Sequence, residues 1–264
     1  MWRLWLACFF TSTLFVNSSF GGFFISLNFT GGLTASQQSV FTGAKTFWES
    51  ELTGYKPGIA LAGVTINASG VAIDGVGGIL GSAGTTSTTS QGGFVLSTAG
   101  EMRFDIADLS SLESNGSLQN VIKHEMAHVL GFGTLWTSNG VYVDGTGQYT
   151  GSNALAQWKT EFGQSSATSV PVELGGGSGT ANGHWNEVDG GAGLTGIKDS
   201  LNRDMRDELM TGWLNPNSFV SNMTIASFSD IGFTVVAVPE PTSLAFVGLS
   251  IVGLQFIRKR NRKR

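Results

Sequence analysis

The stretch KHEMAHVLGFGTLW, residues Lys123–Trp136, decides the fold, because it has the pattern of an amphipathic helix that ends at a glycine. It contains two of the chain's three histidines, four residues apart, with a glutamate directly after the first. We predict a helix over residues 117–130, in which Ser117 is the N-cap and Gly131 is the residue that ends the helix.

The predicted helix has two different faces. At about 100° per residue, His124 and His128 project from the same face, and Glu125 lies to one side of them. The opposite face carries the apolar side chains of Leu118, Ile122, Met126 and Val129. We therefore expect the apolar face to pack into the core and the histidines to face a cleft.

The pattern His-Glu-x-x-His is the arrangement that a zinc protease needs. Two histidines at i and i+4 bind zinc, and the intervening glutamate accepts a proton from the metal-bound water, whose pKa the metal lowers to about 7. The alternative is a buried helix whose two histidines only make structural hydrogen bonds. The pattern arises by chance in on the order of one chain in a hundred of this length, which favours the zinc site.

A catalytic zinc takes three protein ligands and keeps a further position open. The chain has one more histidine, His184, in the segment NGHWNEVDGG. The carboxylates that compete with it for the third position are Glu173, Glu187 and Asp189. We predict His184, because one ligand is missing and one histidine remains, and because three imidazoles suit zinc.

The segment RDELMTGWLNP, Arg206–Pro216, places Met210 in a tight turn after a short helix. A methionine below a zinc site is a packing element rather than a ligand. The alternative is an ordinary core methionine.

The three segments HEMAHVLGF, GHWNE and DELMTGW together resemble the leishmanolysin-like metzincins. The resemblance implies an α+β, zincin-like fold over residues 21–236, with a twisted mixed sheet, an active-site helix and a loop-rich C-terminal subdomain. It also implies one catalytic zinc, with a role for each of five residues: ligands His124, His128 and His184, general base Glu125, and Met-turn methionine Met210.

Two features depart from relatives of this kind. In the compact metzincin pattern the third histidine follows Gly131 by three residues, and this chain has Thr134 there; an insertion would separate the helix from His184, as in leishmanolysin-like proteins. Leishmanolysin is also rich in disulfides and uses a cysteine for latency, whereas the single cysteine here is Cys8. That route to latency is therefore closed.

Patterns elsewhere predict the remaining elements. We expect strands within residues 23–29, 58–73, 94–97 and 102–106. Helices are expected within residues 34–52, 152–163 and 221–232, the second of them capped by Ser152. The glycine-rich segments 74–93 and 172–196 are predicted to be loops. The turns IDGVGG, VDGTGQ and VDGGAG could hold calcium, but none has the spacing of a known calcium loop.

Both ends of the chain have the composition of targeting segments. Residues 1–20 resemble a secretory signal peptide, with one arginine before an apolar run; the alternatives are a lipoprotein signal at Cys8, a start codon placed wrongly, or a first buried strand. Residues 237–264 resemble a PEP-CTERM sorting signal, with Pro239, Glu240 and Pro241 followed by an apolar stretch and six basic residues. This resemblance implies an exosortase-like enzyme as partner and a membrane-anchored tail, transient or permanent.

Charge excludes one class of partner. Without Arg3 and the six basic residues of the tail, eight basic residues remain against 18 acidic ones, a net charge near −10. A body so acidic argues against binding to nucleic acid.

The most specific expectation is therefore a zinc endopeptidase, exported to the cell envelope, surface or medium, that acts on protein or peptide substrates. The alternative is a non-catalytic, zinc-stabilised surface or matrix protein, and a third reading is an amidase that acts on envelope polymers. The glutamate of the motif favours catalysis, because a structural site does not need a base.

Overall fold

The computed structural model describes residues 22–187 and 193–237. The strands of this part of the chain are β1 (Phe24–Gly31), β2 (Leu52–Tyr55), β3 (Gly63–Val71), β4 (Gly81–Gln91), β5 (Phe94–Asp105), β6 (Gln148–Tyr149), β7 (Val170–Pro171) and β8 (Phe233–Val235). Its α-helices are α1 (Ala35–Glu51), α2 (Ile106–Ser114), α3 (Leu118–Leu130), α4 (Ser152–Glu161) and α5 (Asn222–Asp230). The predicted α+β class is confirmed.

A four-stranded mixed sheet forms one side of the molecule, with the strand order β1-β3-β5-β4. The strands β1, β3 and β5 are parallel, whereas β4 runs antiparallel to β5 and forms an edge of the sheet. The helices α1 and α3 contact each other, and α3 also contacts β4 and β5. The edge strand β4 therefore lies beside the helix that carries the motif.

The prediction of a loop over residues 74–93 was wrong, because residues 81–91 form β4. This stretch has almost no apolar residues to give an alternating pattern, so its strand character is not visible in hydropathy. Pairing with β5 over ten residues supplies the hydrogen bonds that hold it extended. The two strands predicted at 94–97 and 102–106 are parts of one strand, β5.

The motif helix forms as predicted, over Leu118–Leu130. Its apolar face is buried, and the indole of Trp48 on α1 donates a hydrogen bond to the carbonyl oxygen of Lys123 at 3.0 Å. Gly131 ends the helix with φ of 116°, a conformation that glycine adopts without strain. Ser117 precedes the helix but makes no capping bond through its side chain.

The helix predicted within residues 152–163 is α4, but Ser152 is not its cap. Gly151 holds the cap position and has no side chain to offer. Instead the carboxylate of Asp230, at the end of α5, accepts the backbone N–H groups of Asn153 and Ala154 at 2.9 and 3.0 Å. The capping group thus comes from a distant part of the sequence.

Between α4 and α5 the described chain is mostly irregular, as predicted from its glycines, with a short 3-10 helix at Met205–Asp207. The antiparallel pair β2 and β8 joins the end of the described chain to the N-terminal half. Within the described ranges, no helix combines the length and apolar character needed to span a membrane.

Several predictions fall on residues that lie outside the described ones. These residues are the proposed signal peptide with Cys8, the alternative ligand Asp189, and the sorting motif of Pro239, Glu240 and Pro241.

Candidate metal centre

Three histidines meet at one point of the structure. His124 and His128 come from α3, and His184 comes from the loop 60 and 56 residues further along. Their Nε2 atoms form a triangle with sides of 3.0 Å. The structure therefore brings together the three residues that the sequence analysis chose as ligands.

The other ring nitrogen of each histidine faces a backbone carbonyl oxygen. The Nδ1 atoms of His124, His128 and His184 lie 2.7, 2.9 and 2.8 Å from the carbonyl oxygens of Leu209, Phe132 and Thr180, respectively. A carbonyl can only accept, so each neutral ring carries its proton on Nδ1. Each Nε2 then has a lone pair and no proton.

Three lone pairs that point at one another within 3.0 Å cannot hydrogen-bond and repel each other. A cation among them removes this repulsion. Zinc with Zn–N distances of about 2.0–2.1 Å in tetrahedral geometry separates its nitrogens by about 3.3 Å, close to the observed triangle. The residues present thus fit a zinc ion.

Burial keeps the three rings neutral. It lowers the pKa of His124 and His128, the latter well below its ordinary value with the neighbouring histidines adding to the effect. Burial, followed by the repulsion that a protonated His124 would exert, lowers the pKa of His184 to about 3. Neutral imidazole is the form that binds a metal, so the site is ready to bind a metal without first losing a proton near pH 7.

A close backbone approach brings His184 to the helix. Gly133 has φ of 71°, and a β-carbon there would lie 2.4 Å from the carbonyl oxygen of Gly183. Only glycine lets the turn after α3 come this near to the ligand loop. On its other side, the carbonyl of His184 accepts the N–H of Glu173 at 2.9 Å.

Glu125 lies in the same cleft, with 7 % of its surface exposed. Burial raises the pKa of its carboxyl to about 8. A dication held by the histidines acts in the opposite direction and favours the ionised carboxylate. Gly81, the first residue of β4, lies against this side chain.

The competing carboxylates do not join the cluster. Among the described residues, the His124, His128 and His184 group is the one that could hold a metal ion. Glu173 is buried and accepts the N–H of Gly175, and Glu187 is also buried. Thr134, the ligand position of the compact metzincin pattern, donates its hydroxyl to the carbonyl of His128 at 2.7 Å.

The calcium prediction receives no support from the acidic turns that the structure describes. Both carboxylate oxygens of Asp74 accept the N–H of Ile79, and Asp144 accepts the hydroxyl of Thr137 at 3.0 Å. Both carboxylates thus accept hydrogen bonds from donors of the protein itself. Most of the third turn, VDGGAG, lies outside the described residues.

Met210 is fully buried in a tight turn directly after Leu209, whose carbonyl orients His124. The turn therefore contacts the metal centre through its backbone. The role of Met210 as a Met-turn methionine stays a prediction.

A cleft of about 970 Å³ surrounds the three histidines. One wall is the segment 78–83, which includes the start of β4, and the other consists of the loop 178–184 and residues 212–214. Ile79, Trp213 and Leu214 are large apolar side chains of the lining that remain 50, 43 and 37 % exposed. No lysine or arginine is among the described residues of the lining.

Sequence reasoning missed this wall and the backbone acceptors. A carbonyl has no signature in the sequence, so the partners of the three Nδ1 atoms could not be predicted. The threonines of the segment TTSTT, residues 85–89, were the available signal for β4, because β-branched residues favour strands.

Comparison with known families agrees with this geometry. The family model described as Leishmanolysin matches residues 95–247, which is more than half of the chain and includes all three histidines. The chain belongs to the leishmanolysin family of zinc-dependent metalloproteases. A search of curated proteins finds no match.

Proposed function

We propose that the protein is an exported zinc endopeptidase in which His124, His128 and His184 hold the metal and Glu125 is the general base. The observation that carries the proposal is the triangle of unprotonated Nε2 atoms in a cleft that also contains a buried glutamate. A metal held by three neutral imidazoles with an open side is typical of catalytic rather than structural zinc sites.

Bound zinc supplies Lewis acidity, which makes water a nucleophile near pH 7 and stabilises negative charge on a carbonyl oxygen. The carboxylate of Glu125 takes a proton from the attacking water and gives it to the nitrogen of the leaving amine. Burial raises the pKa of this carboxyl, and a bound dication opposes that effect and favours the ionised form that accepts the proton. The Nδ1 hydrogen bonds to Leu209, Phe132 and Thr180 hold the imidazoles in the metal-binding tautomer.

The free edge of β4 beside the cleft is suited to an extended substrate. An edge strand offers unpaired N–H and C=O groups, to which a peptide can add as a further strand. The exposed apolar surfaces of Ile79, Trp213 and Leu214 favour apolar side chains of the substrate. A protein or peptide substrate is therefore proposed.

Export is proposed from the sequence pattern of the two termini. Residues 1–20 would act as a signal peptide and residues 237–264 as a tail that enters the membrane and is recognised by an exosortase-like enzyme. Expression of the full chain with an epitope after residue 236 in a host with and without such an enzyme tests this. We expect a shorter mature protein, without the basic tail, in the first host alone.

The competing function is a non-catalytic, zinc-stabilised surface or matrix protein. It gives no reason for a buried carboxylate in an open cleft beside the three ligands. Hydrolysis of a protein substrate also separates the proposal from an amidase specific for envelope polymers.

The experiment compares the zinc-loaded full chain with its Glu125→Gln variant on an unfolded protein such as reduced casein. We expect the wild type to cleave and to stop when a chelator removes zinc. The variant should keep one zinc per chain and lose cleavage by at least about a hundredfold, the scale of general-base catalysis. A folded, zinc-loaded wild type that cleaves no protein would contradict the proposal.

A further inference from the structure

A buried carboxylate lies directly behind the turn that contains Met210. Glu208 is 1 % exposed, and four neutral donors point at it. Its Oε2 accepts the N–H of Met210 at 2.5 Å. Its Oε1 accepts the N–H and hydroxyl of Ser221 at 3.0 and 2.9 Å and the hydroxyl of Thr224 at 2.5 Å. The carboxylate thus joins this turn to the first residues of α5.

The first connection from Glu208 to the metal centre runs along the backbone. Leu209 lies between Glu208 and Met210, and its carbonyl oxygen is the acceptor for Nδ1 of His124 at 2.7 Å. The N–H of Leu209 donates in turn to the carbonyl of Phe219 at 2.7 Å. The N–H of Met210 belongs to the same peptide group as this carbonyl and donates to the carboxylate of Glu208, so the direction of the carbonyl depends on that carboxylate.

The second connection runs through side chains to the ligand loop. The hydroxyl of Thr224 donates to Glu208 and accepts the indole N–H of Trp185 at 2.9 Å. The backbone N–H of Trp185 donates to the carbonyl of Met210 at 3.0 Å. Since Trp185 directly follows His184, two hydrogen bonds from this network fix the chain next to the third ligand.

The remaining ligand does not depend on this network. The Nδ1 atom of His128 donates to the carbonyl of Phe132, two residues after the end of its own helix, at 2.9 Å. The network of Glu208 thus reaches the carbonyl that faces His124 and the residue that follows His184, whereas the acceptor for His128 lies just after α3.

We propose that Glu208 is a positioning residue of the metal centre, which holds the carbonyl of Leu209 and the indole of Trp185 so that His124 and His184 converge with His128. This inference rests on the proposed zinc site but adds a residue that is neither a ligand nor a base. Groups that orient ligands commonly change metal affinity or activity by about 10–100-fold when they are replaced.

The decisive variant is Glu208→Gln in the full chain. The amide nitrogen of glutamine replaces one of the two carboxylate oxygens. Both oxygens accept hydrogen bonds in the wild type, so in either orientation the NH₂ group faces another donor. The more favourable placement leaves the three bonds to Ser221 and Thr224 and loses the one to Met210. We expect zinc affinity, measured by competition with a chromophoric chelator, to fall about 10–100-fold.

A matched control exists at the start of the same helix, α5. Glu161 also holds the start of α5, accepting the N–H groups of Asn222 and Met223 at 3.0 and 2.9 Å. These hydrogen bonds reach the backbone of α5 rather than the ligands' neighbours. The Glu161→Gln variant should lose thermal stability as well, yet keep the zinc affinity of the wild type.

The absorption spectrum of the cobalt-substituted protein provides a readout that lower stability alone does not change. We expect Glu208→Gln to shift the d–d bands, because His124 and His184 change direction, and Glu161→Gln to leave them unchanged. Should Glu208→Gln fail to fold, Thr224→Val removes the hydrogen bonds of this hydroxyl to Glu208 and Trp185, leaves the bond between Glu208 and Met210, and is expected to shift the bands as well.

The outcomes separate this inference from the proposed function. A wild type that binds no zinc at micromolar concentration overturns the zinc site itself. The positioning role is overturned if the wild type binds zinc and cleaves protein while Glu208→Gln keeps the same zinc affinity and cobalt spectrum. Thr224→Val takes the place of Glu208→Gln if the latter does not fold. Either result leaves the proposed protease function intact.

Discussion

Gly81 at the start of β4 lies in contact with Glu125 on α3: a β-carbon at Gly81 would lie 3.2 Å from both Cγ and Oε1 of that side chain. The same β-carbon would lie 3.2 Å from the ring of Phe104. These distances are tighter than ordinary van der Waals contact, so one of the neighbours would have to move. The edge strand and the proposed general base are therefore positioned against each other.

This contact predicts a specific loss of activity. Gly81→Ala should displace Glu125 by a few tenths of an ångström and lower kcat by about tenfold, because small misplacements of catalytic groups are costly. Zinc content should be unchanged, since the ligands are not touched. The measurement is kcat on a fluorogenic peptide together with metal analysis.

Gly84→Ala is the control on the same strand, because a β-carbon there meets nothing within 4 Å. We expect it to keep the wild-type kcat. Equal rates for both alanine variants would show that the contact does not matter for catalysis.

The identity of the third ligand gives a second prediction. His184→Ala should lower zinc affinity by several orders of magnitude, because two imidazoles cannot complete the site. Glu173→Gln, the variant of a competing carboxylate, should bind zinc as the wild type does. Isothermal titration with zinc at pH 7.5 distinguishes them, and tight binding by His184→Ala would contradict the assignment.

Stability should depend on pH through Asp105, which caps α2. The N–H of Ala107, with those of Asp74 and Gly75, lowers the pKa of its carboxyl in the folded chain. The unfolded value is about 3.9. A lowered folded pKa means that the ionised group stabilises the fold above about pH 4 and that this contribution is lost as the pH falls through the folded pKa.

Urea unfolding of the metal-free chain between pH 2.5 and 7 tests this expectation. Asp105→Asn should be less stable than the wild type at pH 7, and the difference should shrink as the pH drops below 4. A difference that stays constant over the whole range would show that ionisation of Asp105 is not involved.

The cap of α4 predicts a stability effect without a metal effect. Asp230 is 8 % exposed and accepts from Asn153, Ala154 and the hydroxyl of Tyr149. Asp230→Ala should lower the free energy of unfolding by about 2–4 kcal/mol, because several buried donors lose a charged acceptor. Zinc affinity should not change.

Asp144→Ala is the comparison for that experiment. Its carboxylate is exposed and makes one hydrogen bond, to Thr137, so the expected change is below about 0.5 kcal/mol. Equal losses in the two variants would contradict the role assigned to Asp230.

Local patterns in the sequence were sufficient where the physics is local. The 3.6-residue spacing of apolar residues predicted α3, and its histidines four residues apart had to share a face. Gly131 was identified as the end of the helix for the same reason, since its φ of 116° suits glycine. Such features depend on neighbours in the chain.

Predictions failed where the stabilising partner is far away in sequence. Residues 81–91 have no apolar alternation and become a strand only because β5 pairs with them. Ser152 was a reasonable cap by type, but Asp230 replaces it from 78 positions along the chain. A single sequence without contacts does not reveal such partners.

The sequence by itself determined the helix, the pair His124 and His128, and the choice of His184 as the one histidine left. The tertiary structure decided that the three Nε2 atoms lie 3.0 Å apart. It also decided which backbone carbonyls orient them, and it placed the carboxylate of Glu208 within hydrogen-bonding distance of Met210 and Thr224. The physical reason is that residue types determine which chemistry is available. The distances between side chains and the directions in which they point arise only when segments far apart in the chain pack together.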